Sequence, residues 1–226
     1  MNDILVVGSE GGIGKSFCNY ARNMGHNIIG FDINSSNTDD SYRVDTSDYN
    51  SLKDIMSKVN PPKYIVSCPG LYWRKKVEEY SPSDILDIWR SNFLATTNIV
   101  KLYLDNSMFK LGDINVVMIS SLAGHFGGLD AYYASSKAAI IAFSKSIARE
   151  YISHRIRINT IAPGPVSTNM SKVMTDETKH KYQELIPIKR FTRPDEVAHL
   201  IYFLCCESPP SINGTVYDID GGLIRR

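Results

Sequence analysis

Ile4-Leu5-Val6-Val7-Gly8-Ser9-Glu10-Gly11-Gly12-Ile13-Gly14 is the stretch on which the reading of this chain turns. Four apolar, largely β-branched residues run without alternation into a glycine cluster, and the apolar period of Phe17, Ala21 and Met24 follows. A continuous apolar run is the mark of a strand buried on both faces. A glycine turn between such a strand and a helix lets a phosphate approach main-chain N–H groups at the helix N-terminus. Surface turns also collect glycine, but the placement between first strand and first helix favours a nucleotide site.

Working outward, the same alternation repeats to the end of the chain. Strands are expected at Ile4–Val7, Asn27–Phe31, Tyr64–Ser67, Ile114–Ser120, Arg157–Ile161 and Thr215–Ile219, with a short one at Tyr42–Val44. Helical period falls at 12–24, 49–59, 83–106, 131–152 and 194–207. Right-handed βαβ units of this kind give an α/β, Rossmann-like doubly wound parallel sheet of about seven strands with helices on both faces. No linker or internal repeat divides the 226 residues, so residues 1–226 read as one domain. One connection is short. Only nine residues, 33–41, separate Asp32 from Tyr42, and they are rich in Asn, Ser and Asp. A parallel crossover normally takes a dozen residues or more, so the helix between strands 2 and 3 is expected to be shortened or missing.

Composition narrows the function. Hydrophobic residues at 43% and charged residues at 22% fit a packed domain, and a net charge of +1 argues against a nucleic-acid surface. Arg74, Lys75, Lys76, Arg225 and Arg226 read as solvated surface. No stretch approaches the ~20 apolar residues of a membrane span, and the N-terminal apolar run is too short for a signal peptide. Cys18, Cys68, Cys205 and Cys206 have no metal-ligand spacing, so no metal is expected, and the chain reads as cytoplasmic with reduced thiols.

Asp32 closes the second strand, where a carboxylate accepts hydrogen bonds from the adenosine ribose and repels a 2′-phosphate. Gly11 and Ile33 stand where a basic residue would receive that phosphate, so NAD is favoured over NADP. Ser120-Ser121 ends the fifth strand, and twelve residues after Ser121 comes Tyr133-Ala134-Ser135-Ser136-Lys137. Tyr133 and Lys137, four apart, share one helical face. Taken singly, Asn92 reads as well as a surface amide, and Ser121 as a strand-end hydroxyl.

Together these residues resemble the short-chain dehydrogenase/reductase family over nearly the whole chain. The resemblance makes Asn92, Ser121, Tyr133 and Lys137 a catalytic tetrad. It assigns dinucleotide contacts to Gly8, Gly12, Ile13, Gly14, Asp32, Asp45, Thr46, Gly70, Tyr133, Lys137, Pro163, Gly164, Val166 and Thr168. Asp220-Gly221-Gly222 is similar to its C-terminal signature. It implies NAD(H)-dependent interconversion of a secondary alcohol and a ketone, with Tyr133 as acid or base, Ser121 orienting the substrate oxygen and Asn92 positioning a water. As a base near pH 7 the phenol, with a pKa of ~10, needs help of ~4 kcal/mol, roughly what one positive charge about 4 Å away contributes, and Lys137 and the oxidised nicotinamide ring are two such charges.

The family's Asn-Asn-Ala-Gly appears here as Ser67-Cys68-Pro69-Gly70, which puts local rigidity in question, and Val7 replaces the usual Thr. Residues 165–192 are expected to form a substrate lid. Its charges (Lys172, Asp176, Glu177, Lys179, His180, Lys181) favour a small polar substrate, or equally a solvated surface. Tyr72, Trp73, His125 and Phe126 read more readily as packing than as pocket wall. The resemblance also implies a homotetramer or homodimer. Competing readings are a catalytically silent NAD-binding regulatory protein, an NADP-dependent carbonyl reductase and a nucleotide-sugar epimerase or dehydratase. The last usually has a longer chain.

Overall fold

The computed structural model describes residues 3–35, 40–105 and 114–224; Arg225 and Arg226 lie outside them. The first strand, β1 (Asp3–Val7), sends Ile4 and Val6 to one face of the sheet and Leu5 and Val7 to the other, all four buried. Both faces therefore need helices. The chain continues through α1 (Gly12–Asn23), β2 (Asn27–Asp32), β3 (Ser41–Arg43), α2 (Tyr49–Met56) and β4 (Tyr64–Ser67). Next come α3 (Pro82–Trp89), α4 (Ala95–Leu104), β5 (Ile114–Ile119), the short α5 (Ala123–Phe126), α6 (Ala131–Glu150) and β6 (Ile156–Pro163). It closes with α7 (Asp176–Leu185), α8 (Pro194–Tyr202) and β7 (Val216–Ile219).

All seven strands are parallel, in the order β3-β2-β1-β4-β5-β6-β7. The fold is the doubly wound one expected. Leu5, Phe31, Leu52, Ile99 and Ile140 fill one interlayer core, and Ile4, Phe17, Ala21, Val197 and Ile201 fill the other. The strand order reverses between β1 and β4, the switch point where open α/β sheets bind ligands at the carboxyl ends of strands.

In the connection between β2 and β3, residues 33–35 and 40 form turns with no helix, while 36–39 lie outside the described residues. Ser35 and Ser41 hydroxyls meet at 2.7 Å and draw the loop together. The stretch read as one helix over 83–106 is interrupted by a π-turn at Arg90–Leu94, between α3 and α4. Ser81 caps its start by accepting the Asp84 N–H at 3.2 Å. Another π-turn, Phe203–Glu207, follows α8. β6 runs two residues past its expected end, because Pro163 needs no N–H at a strand terminus and its carbonyl accepts the Leu122 N–H at 2.9 Å.

Candidate active site

The carboxyl ends of the strands open into a cleft of about 1000 Å³. Gly8 starts its floor with φ +78° and donates its N–H to the Phe31 carbonyl at 2.7 Å. A side chain there would strike Pro69. Gly12 and Ile13 line the cleft; Gly14 does not. A Cβ on Gly14 would overlap the Gly8 carbonyl oxygen, so this glycine serves helix-on-turn packing beneath the floor and not direct contact.

Asp32 stands at the wall with both carboxylate oxygens held. Oδ2 accepts the Glu10 N–H at 3.0 Å and Oδ1 the Asn34 N–H at 2.8 Å. Asp45 and Thr46 line the same end. Asp45 accepts the Ser47 N–H at 2.9 Å, and the Thr46 hydroxyl is spent on the Ala95 carbonyl at 3.0 Å, which ties β3 to α4. Gly70, Pro163, Gly164, Val166 and Thr168 complete the wall from the far strands. A glycine floor that a Cβ would fill, together with a fixed carboxylate at the end of β2, fits a dinucleotide.

Ser121, Tyr133 and Lys137 converge on the middle of this cleft. The Ser121 and Tyr133 side chains face the same space, and the Ser121 oxygen accepts the Ala123 N–H at 3.2 Å. Burial pushes the Tyr133 phenol up to about 12, with the nearby Ser121 hydroxyl opposing. Lys137, 3% exposed, is pushed down to about 8 by burial. Its ammonium donates to the carbonyls of Ile119 at 3.1 Å and Pro69 at 3.3 Å, and it lies 5.9 Å from the Tyr133 ring centre. Of the two positive charges expected to lower the phenol's pKa, Lys137 is the one this chain supplies. Two strand-end carbonyls engage the cation, and desolvation governs Tyr133.

Asn92 is fully buried behind the cleft and does not line it. Its Oδ1 accepts the Leu71 N–H at 2.6 Å, while Nδ2 donates to the Leu71 carbonyl at 3.1 Å and to Ser136 Oγ at 2.9 Å. The π-turn seats this amide as a strut between the loop after β4 and α6. That strut, with the Cys68 N–H donating to the Val7 carbonyl at 2.9 Å, supplies the rigidity that the unusual Ser67-Cys68-Pro69-Gly70 sequence put in question.

Away from the glycine turn the cleft wall mixes apolar side chains with Asp87, Arg90, Ser91, Asn169 and Ser171. Leu71, Leu122, Met170, Met174 and Leu223 line it with Tyr72 and Tyr182. Met170, Met174 and Tyr182 come from residues 165–192, the segment expected to form a lid, and Leu223 from the stretch after β7. Only Leu223 went unread, because nothing in its spacing points to a cavity. The α7 charges pair along an exposed surface instead: Lys179 with Asp176 at 3.0 Å, Lys181 with Glu177 at 2.6 Å, His180 with Glu184 at 3.3 Å. They give no support to a polar substrate. Phe126 lines the cleft and is 56% exposed, and Tyr72 lines it too, whereas packing had been favoured for both. His125 faces Asp218 at 3.2 Å, and Trp73 packs on Tyr80 and Lys75.

A parallel sheet with a glycine floor, a fixed acid and a Ser-Tyr-Lys cluster at its switch point defines a nucleotide-dependent oxidoreductase site. The family model described as enoyl-(acyl carrier protein) reductase matches residues 7–224. The 3-oxoacyl-[acyl-carrier-protein] reductase FabG of Aquifex aeolicus is 28% identical, over 97% of this chain and 96% of that one. Carbonyl reductase family member 4 of Xenopus laevis is 32% identical, over 76% of this chain and 71% of its own length. A mutant 4-hydroxyisoleucine dehydrogenase, solved with NADH and succinate, superposes with a TM-score of 0.91 at 21% identity, covering 98% of each chain. The chain belongs to the short-chain dehydrogenase/reductase family, and with its relatives it is an oxidoreductase of the ketone–alcohol type. Among the described residues no helix is long and apolar enough to cross a membrane, and no three His, Cys, Asp or Glu side chains cluster as metal ligands.

Proposed function

We propose that this protein is an NAD(H)-dependent enzyme interconverting a ketone and a secondary alcohol, with Tyr133 as acid and base. The observation that carries this reading is that Ser121, Tyr133 and Lys137 line the same cleft as the glycine turn and Asp32. In reduction, Tyr133 releases its Oη proton to the ketone oxygen, while Ser121 holds that oxygen in line. A phenol kept high by burial is protonated at neutral pH, as an acid must be. Lys137 replaces the proton and, by its charge, eases its departure. Asn92 fixes the loop that carries Gly70 and Leu71, a positioning task in place of the expected water contact.

Gly8, Gly12, Ile13, Asp32, Asp45, Thr46 and Gly70, with Pro163, Gly164, Val166 and Thr168, would hold the dinucleotide, and Gly14 supports their turn. NADH supplies the hydride when bound. Asp32 favours NAD over NADP, because a 2′-phosphate would lie against its pinned carboxylate. Leu71, Met170, Met174 and Leu223 in the lining give an apolar part of a substrate something to pack on, in keeping with the acyl reductase among the relatives. The chain works as one unit with residues 165–192 as lid, in the cytoplasm, on a small-molecule substrate, as a homotetramer or homodimer. The test is loss of reduced-nicotinamide absorbance with a panel of ketones. Firm NADH binding without turnover of any of them would favour the regulatory reading instead.

A further inference from the structure

The cleft that would take the dinucleotide is short of positive charge. Among the described residues, five carboxylates line it, on Glu10, Asp32, Asp45, Asp87 and Asp130, against two cations, Lys137 and Arg90. Lys137 is buried, and its ammonium already donates to the carbonyls of Ile119 and Pro69. A dinucleotide adds the negative charge of its pyrophosphate to this balance. The N-terminus of α1 answers with a partial charge of only roughly +0.5. Between protein walls such an excess of one sign is focused and repels a ligand of the same sign. Arg90 is the remaining counter-charge. It is exposed, and no hydrogen bond or ion pair engages its guanidinium among the described residues, Asp87 on the same wall included.

The π-turn at Arg90–Leu94 explains how this arginine comes to line the cleft. The wider ring carries the Arg90 carbonyl to the Ala95 N–H, so Arg90 and Ala95, five residues apart, both reach the cleft wall. In an α-helix that spacing points to diverging faces. The two ends of the turn are anchored to different parts of the site. The Ala95 carbonyl accepts the Thr46 hydroxyl at 3.0 Å, beside Asp45. Asn92 holds Leu71, next to Gly70 and the Lys137 ammonium. Arg90 therefore stands between the Asp45–Thr46 end and the Tyr133–Lys137 centre. A dinucleotide with adenosine at the first and nicotinamide at the second carries its phosphates between them. The layers matter too. α1 covers one face of the sheet with Phe17 and Ala21, and α4, which continues the π-turn, covers the other with Ile99 and Val100.

Resting on the dinucleotide reading above, we propose that Arg90 binds the cofactor's pyrophosphate, reaching it from the wall opposite the glycine turn. The glycine N–H groups supply direction, and the guanidinium supplies the charge they lack. Its planar fork of donors matches a pair of phosphate oxygens, and its long side chain gives reach from an exposed backbone.

The test uses two ligands that share the adenosine end: ADP-ribose, which carries the pyrophosphate, and adenosine, which carries no phosphate. Each is titrated as a competitor that displaces NADH from the full chain, followed by NADH fluorescence. Arg90→Gln should raise the dissociation constant of ADP-ribose about tenfold and leave that of adenosine within about twofold. Arg90→Lys should recover part of the loss, because the charge returns without the fork. Raising salt from about 50 to about 500 mM should narrow the gap between the unsubstituted protein and Arg90→Gln. Thermal unfolding checks that the variants are folded. Unchanged ADP-ribose binding in Arg90→Gln makes Arg90 a solvated surface cation, and an equal loss for adenosine makes it a part of the wall's shape. Either result overturns the proposal and leaves the dinucleotide site standing. An unsubstituted protein that binds neither NADH nor ADP-ribose sinks both.

Discussion

One carboxylate oxygen of Asp130 accepts the main-chain N–H of Tyr133 at 2.9 Å, so the helix carrying the proposed acid begins on a buried charge. Its other oxygen accepts the Tyr80 hydroxyl at 2.6 Å. Helix cap and buried hydroxyl therefore depend on the same side chain.

Asp130→Ala removes the cap, worth about 1 kcal/mol, and leaves the Tyr80 hydroxyl without its acceptor, at about 1–3 kcal/mol more. The variant should lose about 2–4 kcal/mol in urea unfolding. A loss below about 0.5 kcal/mol would show that water replaces both contacts at little cost.

Much of this architecture is legible in the sequence because its signals are local. The apolar run Ile4–Val7 with its glycines and the four-residue spacing of Tyr133 and Lys137 each depend on a few adjacent residues. Asp32 at a strand end is of the same kind. What is not legible depends on contacts across the fold. The π-turn that seats Asn92 leaves no mark in a helical period that reads unbroken over 83–106, and the amide's partners, Leu71 and Ser136, are set by tertiary packing. The lid charges could be read either way until α7 was seen to pair them outward. Tyr72 was ambiguous for the same reason: a lone aromatic after a turn packs or lines a pocket according to what faces it.

Burial sets Lys137 to about 8 in the folded chain, against ~10.4 for a lysine in the unfolded one. Below the folded value both states hold the proton and folding bears the full cost of a buried ammonium. Between the two values the unfolded chain keeps a proton that the folded chain has released, so stability rises with pH. Lys137→Met removes this dependence. The unfolding free energy of the unsubstituted protein minus that of the variant should climb from about pH 7 to about pH 10. A flat difference would mean that the ammonium is better solvated by the Ile119 and Pro69 carbonyls than burial implies.

Asp32 is held by the Glu10 and Asn34 N–H groups and cannot swing away from an incoming phosphate. The ratio of kcat/KM for NADH over NADPH should exceed about tenfold, and Asp32→Ala should bring it down by about the same factor. A clear preference for NADPH in the unsubstituted protein would remove Asp32 from the cofactor assignment.

The account depends most on the Tyr133 proton, and Tyr133→Phe examines it with the ring, its packing on Tyr72 and the helix cap all retained. Turnover of a ketone accepted by the unsubstituted enzyme should fall about a thousandfold or more, with the NADH dissociation constant unchanged within about threefold. Turnover within a few-fold of normal would contradict the assignment of the acid to Tyr133.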